Sequence, residues 1–426
     1  MVKKLPLILF YLLIFLLPTQ LGKHFFFDFS LINGIRSDYL APTLFLTDVI
    51  ILCLFFSFFI GRARIQFTNT KHEFQIFLLV IFYLLFNSII IATNKWVAFY
   101  KLTKVVEFVL LGYAIVKLKP KTQNVLTLLS MGVTYSGVIA LLQFTNQRSV
   151  GGLLYFLGER SFTVVTPGIA KFSFFSQQFL RPYATFPHPN VLGGFMAVVL
   201  PLLLYSLLSK RGKDISNHVF FWVIGLIFGV VTLVTSFSRA AWVVAVWGIV
   251  VSFLFSKTSL YKTLQRKERE TVIIFYVLLF LSITVPFLTS LRGFFNFGLS
   301  WVEREELLQA GIAIITQNPV FGIGMNNFIV HVPNYLNSSS SSYIFQPIHN
   351  VYVLIAAETG LLGVLLALLG ILVLYRQSLR NPILTLALIQ LLLLGMFDHY
   401  LFTLQQGQLL FTLFAFLVFL KENSYT

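Results

Sequence analysis

The sequence predicts an all-α polytopic membrane bundle of about twelve transmembrane helices, and three observations predict it. Apolar runs of roughly 18 to 22 residues recur along the chain, each enough to cross a hydrocarbon core of about 30 Å at about 1.5 Å per helical residue. Of the 426 residues, 57% are hydrophobic and only 11% charged, with a mean hydropathy of +0.85, whereas a soluble domain carries about 25% charged residues. Lys and Arg gather in every second connection, the pattern expected when successive spans alternate across a bilayer. Helices are required because lipid satisfies no backbone N–H or C=O group.

The first span is Leu5 to Leu21. Met1-Val2-Lys3-Lys4 before it resembles the start of a signal peptide, but no small-residue cleavage site follows, so the run is read as a retained span. The remaining spans are Ala41 to Ile60, Phe74 to Ala92, Val97 to Leu118, Val125 to Phe144, Val191 to Leu208, Val219 to Ser236, Ala240 to Phe255, Thr271 to Ser290, Val351 to Tyr375, Ile383 to Met396 and Gln408 to Leu420. The basic groups Lys3/Lys4, Arg62/Arg64/Lys71, Lys117/Lys119/Lys121, Lys210/Arg211/Lys213, Lys257 to Arg269, Arg376/Arg380 and Lys421 then fall on one side, which puts both termini in the cytoplasm. The formal net charge of +16 is thus spread over many short loops, not gathered into a surface for nucleic acid. The single cysteine, Cys53, lies inside a span, which excludes an intramolecular disulfide and a thiol-based metal site.

The whole chain, residues 1–426, reads as one integral-membrane domain with the lipid bilayer as its surroundings. Two long intervals face outward, Gln147 to Asn190 and Leu291 to Asn350. Loops of such length are usually functional or disordered. Within the second, Trp301 to Thr316 has carboxylates early and an apolar face through Leu307, Leu308, Ile312 and Ile315, so a helix lying on the membrane or the bundle is expected. Asn318-Pro319 stops it. The Ser-rich run from Asn337 to Ser342 reads as a flexible tip without chemistry.

Four features on this face carry candidate chemistry. Arg181-Pro182-Tyr183-Ala184-Thr185-Phe186-Pro187-His188-Pro189-Asn190 makes a stiff helix start. Helix N-termini favour anions, and Arg181 would grip phosphate oxygens in a bidentate way; the plainer reading is a snorkelling arginine beside a capped helix. Ser238-Arg239-Ala240-Ala241-Trp242 turns between two spans, and a cation such as Arg239 at the interface needs a partner, a wet cavity or an anionic ligand. Arg304 either binds a ligand or pairs with the neighbouring Glu residues, and Gly322-x-Gly324 beyond it is on its own no more than a turn. His349-Asn350 opens a further span, with Glu358-Thr359-Gly360 deeper in the same helix. A lone interfacial His is usually structural, yet converging arginines would keep His349 neutral and able to act as a base near pH 7. His188 and the His of Asp398-His399 are alternative bases.

Taken together these motifs resemble the O-antigen ligase and O-antigen polymerase superfamily of bacterial membrane glycosyltransferases. The residues that carry the resemblance are Arg181-x-x-Ala184-Thr185-Phe186-x-His188-Pro189-Asn190; Ser238-Arg239-Ala240-Ala241-Trp242; Arg304 followed by Asn318-Pro319-x-x-Gly322-x-Gly324 and Phe328; and His349-Asn350 followed by Glu358-Thr359-Gly360. Each is loose, but their order and spacing agree from Arg181 to Gly363. Two positions depart from the pattern: Ala184 stands where many relatives have Gly, and Leu308 where an aromatic residue often follows the loop arginine.

The resemblance implies a GT-C-like inverting glycosyltransferase of the bacterial inner membrane, with its active site on the outer face. Its donor would be a polyprenyl-diphosphate-linked glycan and its acceptor a glycan or glycolipid hydroxyl. On that analogy Arg181 and Arg239 hold the donor diphosphate, Arg304 is a further phosphate or sugar contact, and His349 deprotonates the acceptor. His188, Asn190 and Asn350 complete the substrate-binding set. Neither metal nor nucleotide sugar is implied, in keeping with the lack of His-x-x-x-His spacing or grouped outer carboxylates. The motif around His349 favours a ligase over a polymerase that joins lipid-linked repeats. A transporter of twelve spans is the competing class, but such proteins show two related halves, and the long loops here do not match across the halves.

Overall fold

The structure is a computed structural model, and it describes residues 4–60, 71–174, 177–209, 216–257, 299–336 and 345–420. The expected span Thr271 to Ser290, the Ser-rich run and most of the basic connection from Lys257 to Arg269 lie outside the described residues. In chain order the helices are α1 (Leu5–Phe15), α2 (Leu46–Ile60), α3 (Lys71–Phe86), α4 (Lys95–Leu118), α5 (Thr122–Asn146), α6 (Pro189–Ser209), α7 (Ser216–Thr235) and α8 (Arg239–Lys257). They continue with α9 (Leu299–Gln317), α10 (Phe328–His331), α11 (Val351–Ser378), α12 (Pro382–Gly395), α13 (Tyr400–Thr403) and α14 (Gln405–Leu417).

The chain is mostly helical but not purely so. Among the described residues three two-stranded antiparallel ribbons interrupt it, pairing β1 (Gly22–His24) with β4 (Thr43–Phe45), β2 (Leu31–Ile32) with β3 (Ile35–Arg36), and β5 (Lys171–Phe174) with β6 (Gln177–Leu180). All three belong to connections, where short ribbons satisfy backbone groups that no helix covers.

Among the described residues, five helices are long and apolar enough to cross a membrane: Thr122–Asn146, Pro189–Ser209, His218–Thr235, Arg239–Ser256 and Val351–Ser378. Their outward faces are apolar, as with Phe220 on α7, Val246 on α8 and Leu365 on α11, all more than half exposed. This is a membrane protein. Shorter apolar helices occupy Leu5–Phe15, Leu46–Phe58, Leu78–Ile91 and Pro382–Gly395, so the first span is shorter than Leu5 to Leu21. The span expected from Val97 to Leu118 is helical as α4 but carries charges, which are compensated internally. Lys104 Nζ lies 2.5 Å from Asp48 Oδ2 and 3.1 Å from Glu107 Oε2, and Lys101 Nζ donates to the Phe402 carbonyl. Intramembrane charges survive where they meet one another in this way.

Asparagines and prolines punctuate the bundle. Asn94 Oδ1 accepts from Val97 N at the start of α4, Asn350 Oδ1 from Tyr352 N and Val353 N at α11, and Asn381 Oδ1 from Ile383 N at α12, where Pro382 takes the first turn. Each cap satisfies helix N–H groups that have no acceptor within the helix. The main core joins α1, α2, α4 to α8, α12 and α14 through Phe10, Ile115, Leu129, Phe195, Trp222 and Phe414, and α6 packs on α7 and α8.

A second, smaller core ties α9 to α11 through Leu307, Ala310 and Ile314 against Ile348, Leu354 and Ala357. The inward face of α9 is therefore Leu307, Ala310, Gly311 and Ile314, at helical spacing, while Leu308 and Ile312 of the expected face are 38% and 51% exposed. Small residues win because Ala310 and Gly311 let the helix seat directly on Ile348 and Val353.

Beyond α9 the chain locks into a break in α11. Gly360 has φ 64° and ψ −175°, which leaves helix hydrogen bonds unmade around it. The segment after Asn318 fills them: Ile323 N donates to Ala357 O (3.1 Å), Gly324 N to Glu358 O (2.9 Å) and Leu361 N to Pro319 O (2.8 Å). Asn87 adds a third strand of contacts, its Nδ2 donating to Phe321 O (2.8 Å) and its Oδ1 accepting from Met325 N (2.8 Å). The approach is too close for side chains: a Cβ on Gly322 would sit 2.5 Å from the Glu358 carbonyl carbon, and one on Gly360 2.3 Å from Val320 O. Gly322-x-Gly324 and Glu358-Thr359-Gly360 are thus two halves of one joint.

Candidate active site

A cavity of about 910 Å³ opens at one end of the bundle. Its walls come from the segment after α1, the loop before β5, the starts of α4, α6, α8 and α14, the first half of α9, the segment before α11 and the turn after α12. Arg181, His188, Asn190, Arg239, Arg304 and His349 all line it, six residues from four separate motifs.

Arg181 arrives on a rigid support. Strand β6 pairs with β5, and Arg181 N donates to Ala170 O (3.1 Å). Gln143 on α5 then staples the following turn, its Oε1 accepting from Tyr183 N (2.9 Å) and Ala184 N (2.8 Å) while its Nε2 donates to Ala184 O (3.1 Å) and Glu159 Oε1 (2.8 Å). The guanidinium is fixed at both ends, Nε to Ser236 O (2.8 Å) and Nη2 to Asn190 Oδ1 (2.7 Å). Burial, with Arg304 and Arg239 nearby, lowers its pKa to about 10, which leaves it charged at neutral pH. Arg239 opens α8 and is exposed on the cavity side. Arg304, from the first half of α9, makes no hydrogen bond or close ion pair with another described residue, although its charge acts on the neighbouring Glu303.

From Asn190 the network runs on to Asp398 and a group of histidines. Asn190 Nδ2 donates to Asp398 Oδ2 (3.1 Å), and Asp398 Oδ1 accepts from His399 N (2.8 Å) and lies 3.8 Å from His399 Nε2. His399 Nδ1 meets Thr403 Oγ1 at 2.6 Å. The His349 and His399 rings stand edge to face, 5.1 Å apart. His188 Nδ1 accepts from Asn190 N (3.1 Å), which leaves Nε2 to carry the proton of the neutral ring.

Burial is the main cause holding His349 and His188 down to a pKa of about 3 and His399 to about 4, with the positive charge of Arg304 adding to it. Burial alone would push Asp398 up, but His349, His399 and Arg304 outweigh it and hold the carboxyl well below the usual range. At neutral pH the site therefore presents cationic arginines, an ionised aspartate and neutral imidazoles. The Nδ1 of His349 is buried, and the ring forms no hydrogen bond with another described residue.

Residues 224–368 match the family model described as O-antigen ligase. This stretch belongs to the O-antigen ligase and polymerase superfamily. No curated protein matches the chain. The O-antigen ligase region carries Arg239, Arg304 and His349, while Arg181, His188, Asn190 and Asp398 reach the same cavity from outside it.

Asn350 stands apart from the other sequence candidates. Its Oδ1 caps α11 and its Nδ2 donates to Met396 O (3.1 Å), so the amide is spent on joining α11 to the end of α12. Conversely, Asp398 is central although its sequence context suggested only a neighbouring base. The fold also brings His349, Asp398 and His399 together with one ligating atom from each within 4.8 Å of the others, a spacing open to a cation that no local motif announces. Tyr39, Asp38 and Arg160 line the cavity too, and no pattern in the sequence marks them.

Proposed function

We propose that this protein is an O-antigen ligase-type glycosyltransferase, moving a glycan from a polyprenyl diphosphate to an acceptor hydroxyl on the outer face of the bacterial inner membrane, with both termini cytoplasmic. The observation that carries the reading is the convergence of Arg181, Arg239 and Arg304 on one cavity with an imidazole, His349, that is neutral at pH 7 and forms no hydrogen bond with another described residue.

In this mechanism His349 accepts the proton of the acceptor hydroxyl as its oxygen attacks the anomeric carbon. The bond from that carbon to the diphosphate oxygen breaks, and the electron pair leaves on the diphosphate. Prepositioned cations stabilise the charge developing there, the largest single contribution in many enzymes. Arg181 is held for this by Ser236 and Asn190, and Arg304 and Arg239 complete the electropositive wall. The imidazolium formed at His349 is compensated by Asp398, whose carboxylate stays ionised and is positioned by Asn190. Attack opposite the leaving group inverts the anomeric centre. The arginines take the role that a metal plays in other glycosyl transfers, so chelators should leave the rate unchanged.

A polymerase that joins lipid-linked repeats would use the same chemistry, differing in the acceptor. The test is transfer from a polyprenyl-diphosphate glycan by purified protein, with His349→Ala and Arg239→Ala compared. Loss of transfer in both, with folding intact, is expected, as is an inverted product linkage by NMR. Full activity of His349→Ala would move the base to His188 or His399, and uptake of a labelled solute without any transfer would put transport in its place.

A further inference from the structure

Resting on that reading, we propose that the cavity wall around Tyr39 and Asp38 is a carbohydrate-acceptor subsite, with the Tyr39 ring as sugar platform and Asp38 as hydroxyl-binding group. The three arginines cluster tightly enough for Arg304 and Arg239 to act on Arg181 and for Arg304 to act on Arg239. Across the histidine group stands a different surface. The Tyr39 ring meets His399 edge to face at 5.6 Å, and His399 in turn meets His349. In-line displacement needs the nucleophile on the side of the anomeric carbon opposite the diphosphate, which places the acceptor sugar on the Tyr39 side of the base.

The wall is firmly held but chemically unspent. Leu40 is fully buried in the smaller core, and the Tyr39 carbonyl accepts from Asn326 Nδ2 at 3.2 Å. Beyond these anchors, the Tyr39 hydroxyl and the carboxylate of Asp38 form no hydrogen bond with another described residue, and neither does the guanidinium of Arg160 on the same wall. Burial pushes the Tyr39 phenol well above the usual tyrosine value, so the group remains a neutral donor. An amphipathic ring beside an acceptor-only carboxylate and a fork of donors is the chemistry that reads the faces and hydroxyls of a sugar.

The same wall disfavours a second anion. Lys101 and Lys104, which also line the cavity, are committed to Phe402 O and to Asp48 and Glu107. Asp38 and the unspent Arg160 of this wall offset each other's charge beside Tyr39, which leaves no net positive charge for an acceptor phosphate. The acceptor end that reaches His349 is accordingly a neutral sugar.

The experiment uses the full-length protein in detergent, with Asp38→Asn, Tyr39→Ala and Tyr39→Phe. Steady-state transfer is measured by varying donor and acceptor separately. An acceptor KM raised about tenfold in Tyr39→Ala and Asp38→Asn, less in Tyr39→Phe, with donor KM unchanged, is the expected result. Unchanged acceptor KM in Asp38→Asn and Tyr39→Ala, or a change in donor KM instead, overturns the subsite. Binding of neutral hexose oligosaccharides by saturation-transfer NMR decides the question independently of turnover: signal lost in Tyr39→Ala and Asp38→Asn supports it, and equal signal overturns it. Should the unmodified protein bind such oligosaccharides through Tyr39 yet transfer nothing, the transferase reading fails while the subsite stands. Asp38 is exposed, so Asp38→Asn carries the test if Tyr39→Ala does not fold.

Discussion

Arg181 and Arg304 enter one cavity from two segments built in opposite ways. The segment before α6 is stapled by Gln143, closed by a ribbon, and delivers a guanidinium with two hydrogen bonds already made. The segment from α9 to α11 is held from behind, through the Gly360 joint and the smaller core, and delivers Arg304 and His349 with no side-chain hydrogen bond to another described residue. The difference separates two tasks. A preassigned cation fixes where a ligand's charge must sit, and unassigned groups await the ligand itself.

The largest effect should come from breaking that contrast directly. Arg304→Ala and Arg181→Ala are each expected to lower transfer by about 10²–10³-fold, the range for removing one stabiliser of developing charge. Only Arg181→Ala should also destabilise the fold, by about 1–3 kcal/mol, because Ser236 O and Asn190 lose a buried partner. Thermal unfolding of the two variants side by side is the check. Equal destabilisation would mean that Arg304 is a structural residue like Arg181.

A smaller effect concerns protonation. His349 must be neutral to accept a proton, so activity is present above its folded pKa and lost as pH falls through about 3. Arg304 contributes to that depression after burial, and Arg304→Gln should move the acid limb of residual activity upward. An unmoved limb would place Arg304 away from the base. Stability follows the same sign. The unfolded chain protonates His188, His349 and His399 from about pH 6.5 downward, while the folded chain resists to about 3 or 4. Stability is therefore full above about pH 6.5 and declines as pH falls through that window, and denaturant midpoints at pH 7 and pH 5 measure it.

The joint behind Arg304 offers the next test. Gly360→Ala places a Cβ against Val320 O at a backbone angle that side chains rarely adopt, costing about 1–3 kcal/mol in strain. The expected outcome is a loosened α9 with transfer reduced in step with stability, read by hydrogen exchange at Ile323 and Gly324.

How much of this was legible depended on range. Helices are local, and the apolar runs and Asn318-Pro319 announced where they run and stop, whereas Asn350, expected to bind substrate, is spent on capping α11. The arginines and His349 stood out because charge is scarce in an apolar chain. What local pattern could not show was the meeting of remote pieces: Gly322 closing on Glu358, Asn190 reaching Asp398, or Tyr39 standing beside His399. The face of α9 was misplaced for a related reason, since Leu308 and Ile312 are the larger apolar residues but Ala310 and Gly311 fit the neighbour. Size decides hydrophobic periodicity in a sequence, whereas fit decides it in a bundle.

The smallest expected effect lies on the rigid side and sharpens the comparison from there. Ala184 sits at φ 49°, where an L side chain crowds its own carbonyl at a cost of about 1–2 kcal/mol. Gln143 overrides that cost by taking Tyr183 N and Ala184 N together on its Oε1, which fixes the turn whether or not the residue prefers it. Ala184→Gly should therefore stabilise the protein by about 1 kcal/mol, less the extra freedom that glycine gives the unfolded chain, and leave transfer unchanged. In a Gln143→Ala background the same substitution should recover part of the lost activity, because glycine can hold the turn without help. Recovery would show that the staple exists to impose a backbone angle that places Arg181; no recovery would show that Gln143 acts instead through Glu159 on the loop above.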